Sequence, residues 1–265
     1  MLNYGCDIEV CLVDNTGQAF IPDDIVRNAN VPWLKTDGFA AEFETDVFTS
    51  NNIHNLSRQI YERLNIIKKI AAQKLLNISL SPVYKINEEQ FQTATENNKN
   101  LGCSPDTCIY YNTMNKENVM REEIIKKNRI KKLQNLPFRT LGAHIHIGDD
   151  IFSDLIIQMA QHIIPIIDRD ICKTPRKVDI QRRKFYGGAG CYRIKPYGIE
   201  YRSLPTDIFI DNTKDILQKV NKVTIDVLSR KRTISFNSLI NIRNMVDRGI
   251  IISPKSINPD LLGRE

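Results

Sequence analysis

Short segments that alternate apolar and polar side chains recur along the chain, and their polar positions carry acids, histidines or bases. In a strand, residues two apart point to the same face of a sheet. The first such segment, GCDIEVCL, places Asp7 and Glu9 on one face and apolar or cysteine side chains on the other. A sheet built from segments of this kind has one face that helices can cover and one polar face. No other feature of the sequence constrains the fold as strongly.

The same alternation occurs at four later positions, each with apolar neighbours on the opposite side. These pairs are Glu42 with Glu44, His144 with His146, Arg193 with Lys195, and Glu200 with Arg202. A single pair of this type is common on the solvated face of a strand. Several pairs on one sheet are different, because carboxylates that are brought together and buried need cations to balance their charge. The pattern therefore predicts one cleft that contains carboxylates, imidazoles, basic groups and bound metal.

The remaining periodicity predicts an α+β fold. Apolar residues at helical spacing predict a helix over residues 55–76. Further helices are predicted over 153–168 (with a break at Pro165), 213–229 and 236–248, and strands over 3–13, 39–47, 78–84, 139–148 and a hairpin at 192–203. Polar residues 87–118 predict a mobile or substrate-binding loop. Because strands and helices do not alternate regularly, α+β fits better than a doubly wound sheet.

Composition restricts the class of protein. The chain has 265 residues, 42% hydrophobic and 26% charged, which is typical of a globular protein and suits one domain over 1–265. We expect no membrane partner and a cytoplasmic location, because apolar runs are short and the start lacks a signal peptide. The six cysteines are too sparse for a disulfide scaffold, and Cys103 with Cys108 supplies at most half a zinc site.

Two basic stretches account for much of the net charge of +6. Residues 126–132 are interpreted as the solvated face of a helix. Residues 176–184 lead into the glycine-rich run 186–190, where attraction of a polyphosphate is an alternative to a charged loop. Neither stretch carries a nucleic-acid motif or interleaved aromatic residues, so a nucleic-acid partner is not expected.

The types of polar side chain indicate which ligands the cleft would bind. Oxygen ligands with an imidazole suit Mg²⁺ or Mn²⁺ better than zinc. Basic side chains beside such metals suit a nucleoside triphosphate, because they neutralise charge on the transferred phosphoryl group. The glycine-rich run precedes Arg193, and its small residues let backbone amides approach phosphate. It lacks the spacing of a P-loop, so a simple turn is the alternative.

Five blocks, GCDIEV, EFET, LGCSPD, LGAHIHIG and YGGAGCYRIKPYGIEYRSLP, resemble in this order the carboxylate–amine ligase superfamily of glutamine synthetase and glutamate–cysteine ligase. They extend from residue 5 to residue 205, and the last block is the most specific. The closest likeness is to small phage-associated COOH–NH2 ligases. The resemblance implies a mostly antiparallel, curved sheet of the glutamine-synthetase catalytic type with helices on its outer face. It also implies a phage-encoded amidoligase in the host cytoplasm.

The resemblance implies a role for each polar position. The implied metal ligands are Asp7, Glu9, Glu42, Glu44, His144 and Glu200. The implied nucleotide-binding residues are Arg202, Arg193, Lys195, Gly188 and Gly190, and the implied catalytic residues are Arg202, Glu200 and Arg193. Asp7 replaces the commoner glutamate, so its shorter side chain would shift one metal or bind it through water. For His146, metal ligation and support of another ligand are both open.

The implied reaction uses ATP to convert a substrate carboxylate to an acyl phosphate, which an amine then displaces to form an amide. The substrates would be small molecules or peptides, and residues 103–111 are the candidate contact with them. A thiol that only supports the structure is the preferred interpretation of Cys103. No segment is predicted to form an oligomer interface.

Other functions would use similar residues. A phosphotransferase acting on an amine or a guanidine would need almost the same site. A metal-dependent nuclease or hydrolase would use the carboxylates and histidines without ATP. A non-catalytic nucleic-acid binder and an inactive family member are further alternatives.

Overall fold

The computed structural model describes residues 1–99, 107–113, 116–172 and 175–247. These residues form a mixture of helices and strands. The strands are β1 (Asn3–Val13), β2 (Ala19–Phe20), β3 (Leu34–Asp37), β4 (Ala40–Glu44), β5 (Phe48–Thr49), β6 (Asn77–Ser79), β7 (Val83–Lys85), β8 (Thr107–Cys108), β9 (Phe138–Thr140), β10 (Ala143–Gly148), β11 (Cys191–Lys195) and β12 (Gly198–Leu204). The helices are α1 (Asp23–Ala29), α2 (Ile53–Ala72), α3 (Glu88–Thr93), α4 (Glu96–Lys99), α5 (Lys116–Gln134), α6 (Ser153–Ile171), α7 (Lys177–Arg183), α8 (Thr206–Asp211), α9 (Thr213–Leu228) and α10 (Phe236–Val246).

Ten strands form one sheet with the main order β3-β4-β1-β10-β12-β11-β8, and β2, β5 and β6 also pair with β1. The central strand, β1, is 11 residues long and pairs antiparallel with β4 on one side and β10 on the other. Strands β7 and β9 form a separate antiparallel pair. This combination of helices with a largely antiparallel sheet confirms the predicted α+β class.

Helices α2, α6 and α9 cover one face of the sheet, and the core lies between these layers. Ile8 and Val10 of β1 are fully buried there, together with Ile60 of α2, Ile163 of α6 and Val220 of α9. Burying a side chain of this size contributes about 1.5–3 kcal/mol, so this layer supplies much of the folding free energy. The polar residues that alternate with Ile8 and Val10 point to the opposite face.

The structure confirms the predicted long helices at α2, α6 and α9, and the hairpin formed by β11 and β12. The predicted break at Pro165 is wrong, because α6 continues through this residue. A proline inside a helix removes one backbone hydrogen bond, and here the packing of neighbouring buried isoleucines compensates for that loss. None of the helices in the described ranges is long and apolar enough to cross a membrane.

Other predicted boundaries need correction. The described part of residues 87–118 is not a plain loop, because it contains α3, α4, β8 and the 3-10 turn Ile109–Thr113. The strands predicted over 78–84 and 139–148 are each divided in two, because β7 and β9 leave the main sheet to pair with each other. Cys103 and the predicted end of the last helix at Arg248 and Gly249 lie outside the described residues.

Candidate active site

The open face of the sheet brings together the acidic and histidine pairs of its central strands. Asp7 lies directly opposite Glu44 of β4 on one side and His144 of β10 on the other. Glu9 lies opposite Glu42. Directly paired residues of antiparallel strands project to the same face, so these side chains form one continuous polar surface.

Strands β11 and β12 extend this surface with basic groups. His146 lies opposite Glu200, which in turn lies opposite Arg193. The pairing of β10 with β12 is irregular between Ala143 and Ile145, so two β12 residues lie opposite His144. Arg202 shares the open face with Glu200 because the two are two residues apart on β12, whereas the bulge returns Leu204 to the helix-covered face opposite Ala143.

Glu200 is the most densely contacted carboxylate of the site. Only 1% of its surface is exposed. Its Oε2 lies 2.8 Å from the Nζ of Lys195, and its Oε1 lies 3.5 Å from Nδ1 of His144. The guanidinium of Arg202, which is equally buried, donates a hydrogen bond to the same Oε1. Burial removes the hydration of this carboxylate, and the neighbouring cations compensate for part of that loss.

Tyr186 connects the imidazole and guanidinium groups of the site. Its hydroxyl lies 2.9 Å from Nε2 of His144 and accepts a hydrogen bond from Arg202. Its ring lies between two guanidinium groups, 5.2 Å from that of Arg202 and 5.4 Å from that of Arg182. Sequence reasoning assigned Tyr186 no function, and no local signal could have done so, because these contacts come from distant segments.

Glu9, which is buried, and Glu42, which is half-buried, form an acidic pair next to His144. The backbone N–H of Gly142 donates to Oε2 of Glu9 at 2.6 Å. Burial, followed by the negative charges of Asp37 and Glu42, raises the pKa of Glu9 well above its usual value. Burial, followed by the charges of Asp7 and Asp37, raises the pKa of Glu42 to about 8. The two carboxyl groups therefore repel each other in a region of low dielectric constant.

Asp37 is a further carboxylate near this pair, and sequence reasoning missed it. It ends β3, where Lys35 lies opposite Glu42. Lys35 and Asp37 are two residues apart in the segment LKTD, so the alternation rule applies to them as well. Both would have been candidates if this short strand had been predicted.

Among the described residues, two groups of side chains on the open face could hold a metal ion. One consists of Asp7, His146 and Glu200, and the other of Glu9, Glu42 and His144. Within each group the potential ligand atoms all lie within 4.8 Å of one another. Carboxylate oxygens with one imidazole are donors that Mg²⁺ or Mn²⁺ can accept.

The electrostatics of both groups fit a bound cation. A divalent ion would offset the repulsion that raises the pKa values of Glu9 and Glu42. Burial, followed by the charge of Arg202, lowers the pKa of His144 well below its usual value, so the imidazole is neutral, as a metal ligand must be. Asp7 is ionised: burial opposes its charge, but the hydrogen bond and charge of His146 and the charge of Lys195 prevail and lower its pKa.

Glu44 and His146 differ in their positions relative to the two groups of potential metal ligands. Glu44 is in neither metal-binding group, and its carboxylate pairs with Lys35 at the rim of the face. His146 is in one of the groups, with its Nε2 2.9 Å from Oδ2 of Asp7 and its Nδ1 hydrogen-bonded to the hydroxyl of Tyr197. The geometry therefore favours His146 over Glu44 as a potential ligand.

The glycine-rich run has a structural role that was not predicted. Gly190 has a φ of +68°, and a Cβ there would lie 2.7 Å from the ring of Tyr110. Its amide donates to the buried carboxylate of Asp168 at 2.7 Å, and the carbonyl of Gly188 accepts a hydrogen bond from Ser203. The Gly190 amide is thus engaged within the fold, which corrects its assignment to phosphate binding. The hydrogen bond between Ser203 of β12 and the carbonyl of Gly188 holds the glycine-rich run against this strand.

In the second basic stretch, residues 176–184, two arginines are packed inside the fold. Arg182 and Arg183 are buried at the end of α7. Arg182 donates to the carbonyls of Leu141 at 2.6 Å and Ser203 at 3.1 Å, next to the site. Burial lowers its pKa to about 10. Arg182 therefore supports the backbone around the site, which does not agree with a solvated polyphosphate-binding loop.

Comparison with known families finds a match for the part of the chain that carries the basic half of the site. Residues 115–237 match the family model described as phage phiEco32-like COOH-NH2 ligase type 2. The matched segment contains β10, β11 and β12, and with them His144, Glu200 and Arg202. No curated protein sequence matches the chain. The family match confirms the predicted resemblance for the blocks LGAHIHIG and YGGAGCYRIKPYGIEYRSLP, whereas GCDIEV, EFET and LGCSPD lie outside the matched segment. The description of the matched family supports a ligase that joins a carboxylate to an amine.

Proposed function

We propose that the protein is an ATP-dependent carboxylate–amine ligase that uses Mg²⁺ or Mn²⁺ and forms an amide through an acyl phosphate. The observation that carries this proposal is the adjacency, on one sheet face, of two carboxylate–histidine groups and a cationic cluster in which Lys195 and the buried Arg202 pair with the buried Glu200. The similarity of residues 115–237 to phage COOH-NH2 ligases supports the same reaction. The open face would be the catalytic surface of a glutamine-synthetase-type sheet in a single domain.

Each group of residues has a distinct role in this proposal. Glu9, Glu42 and His144 would hold one metal, and Asp7, His146 and Glu200 another. The metals would neutralise the triphosphate and polarise the bond to the transferred phosphoryl group.

The basic side chains would act on the transferred phosphoryl group. An oxygen of the substrate carboxylate attacks the γ-phosphorus of ATP, and the bond to the ADP oxygen breaks. Arg202, Arg193 and Lys195 would stabilise the charge that develops on the transferred group. Because Arg202 is held by Glu200 and Tyr186, its guanidinium is oriented before the substrate arrives.

The second step forms the amide. The amine nitrogen attacks the acyl carbon, and the bond between this carbon and the phosphate oxygen breaks. The amine proton passes to a base, for which a carboxylate of the open face is suitable. The products are an amide, ADP and free phosphate in equal amounts.

The direct test measures nucleotide turnover and both products together. The protein is incubated with ATP, Mg²⁺ or Mn²⁺, and pools of carboxylates and amines, and ADP and free phosphate are quantified. Equal release that requires both pools is expected for the ligase. ADP formation without free phosphate would favour a phosphotransferase. Failure to bind ATP in the presence of either metal would contradict the proposal and favour a metal-dependent hydrolase.

A further inference from the structure

A cleft adjoins the candidate active site. It lies between α5, α10 and the glycine-rich run, and its volume is about 250 Å³. Tyr186 lines this cleft, and the same residue's hydroxyl contacts His144 and Arg202 of the site. A ligand in the cleft would therefore be separated from the reaction centre by a single side chain.

The cleft is strongly basic. Among the described residues that line it, six are cationic: Arg121, Lys126, Arg129, Arg183, Lys184 and Arg243. In the same described lining, only Glu122 and Asp247 are acidic, and both carboxylates already have partners. Glu122 pairs with Arg243 at 2.6 Å, and Asp247 accepts a hydrogen bond from the amide of Ala189 at 3.0 Å. The excess positive charge focused in a concave surface attracts anions.

Arg183 adds a buried donor to this surface. Only 6% of its surface is exposed, and one of its terminal nitrogens donates to the carbonyl of Val246. Within the described part of the chain its Nε, also buried, has no hydrogen-bond partner. A buried donor without a partner is unfavourable, and an anionic ligand would satisfy it.

The cleft and Lys195, one of the predicted nucleotide-binding residues, lie at opposite ends of β11. Cys191, at the start of this strand, lines the cleft, whereas Lys195, at its end, contacts Glu200. Four residue-to-residue steps along an extended strand separate their Cα atoms by about 13 Å. Arg202 contacts both Glu200 and Tyr186 and so lies between the two regions. A molecule reaching Arg202 from the cleft would meet ATP that is bound near Lys195.

We infer that the cleft binds a second anionic group of the carboxylate substrate. The preferred substrate then carries at least two negative charges, one at the reacting carboxylate and one in the cleft, as a short acidic peptide does. This inference rests on the proposed ligase function, because that function places the reacting carboxylate next to Arg202.

Binding of a labelled peptide tests the inference without requiring turnover. The probe is fluorescein-labelled triglutamate, measured by fluorescence anisotropy with Mg²⁺ present, and labelled triglycine is the uncharged comparison. Arg121→Glu with Lys126→Glu reverses two charges that line the cleft. The matched control, Lys127→Glu with Lys131→Glu, makes the same charge change at exposed positions of α5 that do not line it.

We expect the cleft variant to weaken triglutamate binding at least tenfold, and the control to weaken it less than threefold. We also expect triglycine to bind at least tenfold more weakly than triglutamate. Equal losses in both variants would show general attraction to a basic helix and would overturn the inference. An unchanged affinity in the cleft variant would also overturn it.

ATP binding by the same variants separates the substrate from the nucleotide. We expect the affinity for a fluorescent ATP analogue to change less than twofold in the cleft variant. A tenfold loss would assign the cleft to the nucleotide and overturn the inference. If the wild-type protein binds ATP but not triglutamate, the cleft inference fails and the ligase proposal stands. If it binds triglutamate but not ATP, the cleft remains a site for acidic ligands and the ligase proposal fails.

Discussion

The two faces of the sheet bury neighbouring residues of the same strands to a similar extent, with opposite energetic consequences. Ile8 on the helix-covered face is 0% exposed, and Glu9 on the open face is 5% exposed. Burial of Ile8 removes apolar surface from water and stabilises the fold. Burial of Glu9 removes a carboxylate from water next to Glu42, and so raises its pKa and opposes its ionisation.

This difference indicates that residues on the helix-covered face mainly stabilise the fold, whereas residues on the open face mainly serve its chemistry. Apolar burial on the helix-covered face stabilises the fold, whereas burial of carboxylates on the open face destabilises it. A positively charged ligand that binds the open face would offset part of this destabilisation. Substitutions on the helix-covered face should therefore change stability, whereas those on the open face should change activity and ligand dependence.

The largest expected effect is loss of activity in Glu200→Gln. This substitution keeps the shape of the side chain but removes the charge that pairs with Lys195 and Arg202. We expect the rate of metal-dependent ADP formation to fall by ~10³-fold, on the order of 4 kcal/mol, as for other preorganised charged groups. Glu44→Gln, at the rim of the same face, should retain most of the activity. Wild-type turnover in Glu200→Gln would remove this carboxylate from the mechanism.

On the helix-covered face, Leu64→Ala should destabilise the protein. Leu64 is almost fully buried against the sheet by α2. Removing a side chain of this size from a core costs about 2–5 kcal/mol, which urea denaturation would measure. Ile66→Ala, at a partly exposed position of the same helix, should cost much less. Equal losses of stability in the two variants would contradict the packing described for α2.

Metal binding should stabilise the open face. A ligand at 100 times its dissociation constant stabilises a protein by about 2.7 kcal/mol. We expect Mn²⁺ or Mg²⁺ to raise the melting temperature of the wild-type protein and to raise that of Glu42→Gln by less. An unchanged melting temperature of the wild-type protein in either metal would contradict metal binding at this face.

Without metal, the free energy of unfolding should depend on pH through Glu42. Its pKa is 4.5 without perturbation and about 8 in the fold. Between these values the folded protein binds more protons than the unfolded one, so stability falls as pH rises. In EDTA we expect a loss on the order of 3 kcal/mol between pH 5 and pH 8, reduced in Glu42→Gln. A rise in stability over this range attributable to Glu42 would contradict the assigned environment.

The smallest expected effect is that of Tyr186→Phe. Loss of the hydroxyl removes one hydrogen bond that orients Arg202, which corresponds to about 1 kcal/mol or roughly a fivefold fall in turnover. The hydroxyl also contacts Nε2 of His144. The substitution leaves the potential ligands Glu9, Glu42 and His144 in place, so the Mn²⁺ concentration for half-maximal activity should not increase. A marked increase would show that Tyr186 supports metal binding directly.

Local periodicity was sufficient to predict much of the fold. Helix α2 and the alternation around Asp7, His144 and Glu200 depend on residue spacing within single segments, and spacing is visible in a sequence. The same rule predicted that the acids and histidines share one face. Boundaries were less accurate where strands are short, as at β6 and β7, because few residues then carry the pattern.

The alternation of side chains along each strand, and hence the existence of one apolar and one polar face, was determined by the sequence alone. Only the tertiary structure decided which polar side chains meet, because contacts across strands depend on strand order, register and side-chain reach. It paired Glu44 with Lys35, brought Asp37 near Glu9, and placed Tyr186 between His144 and Arg202. These contacts join segments far apart in the chain, where no local pattern records them.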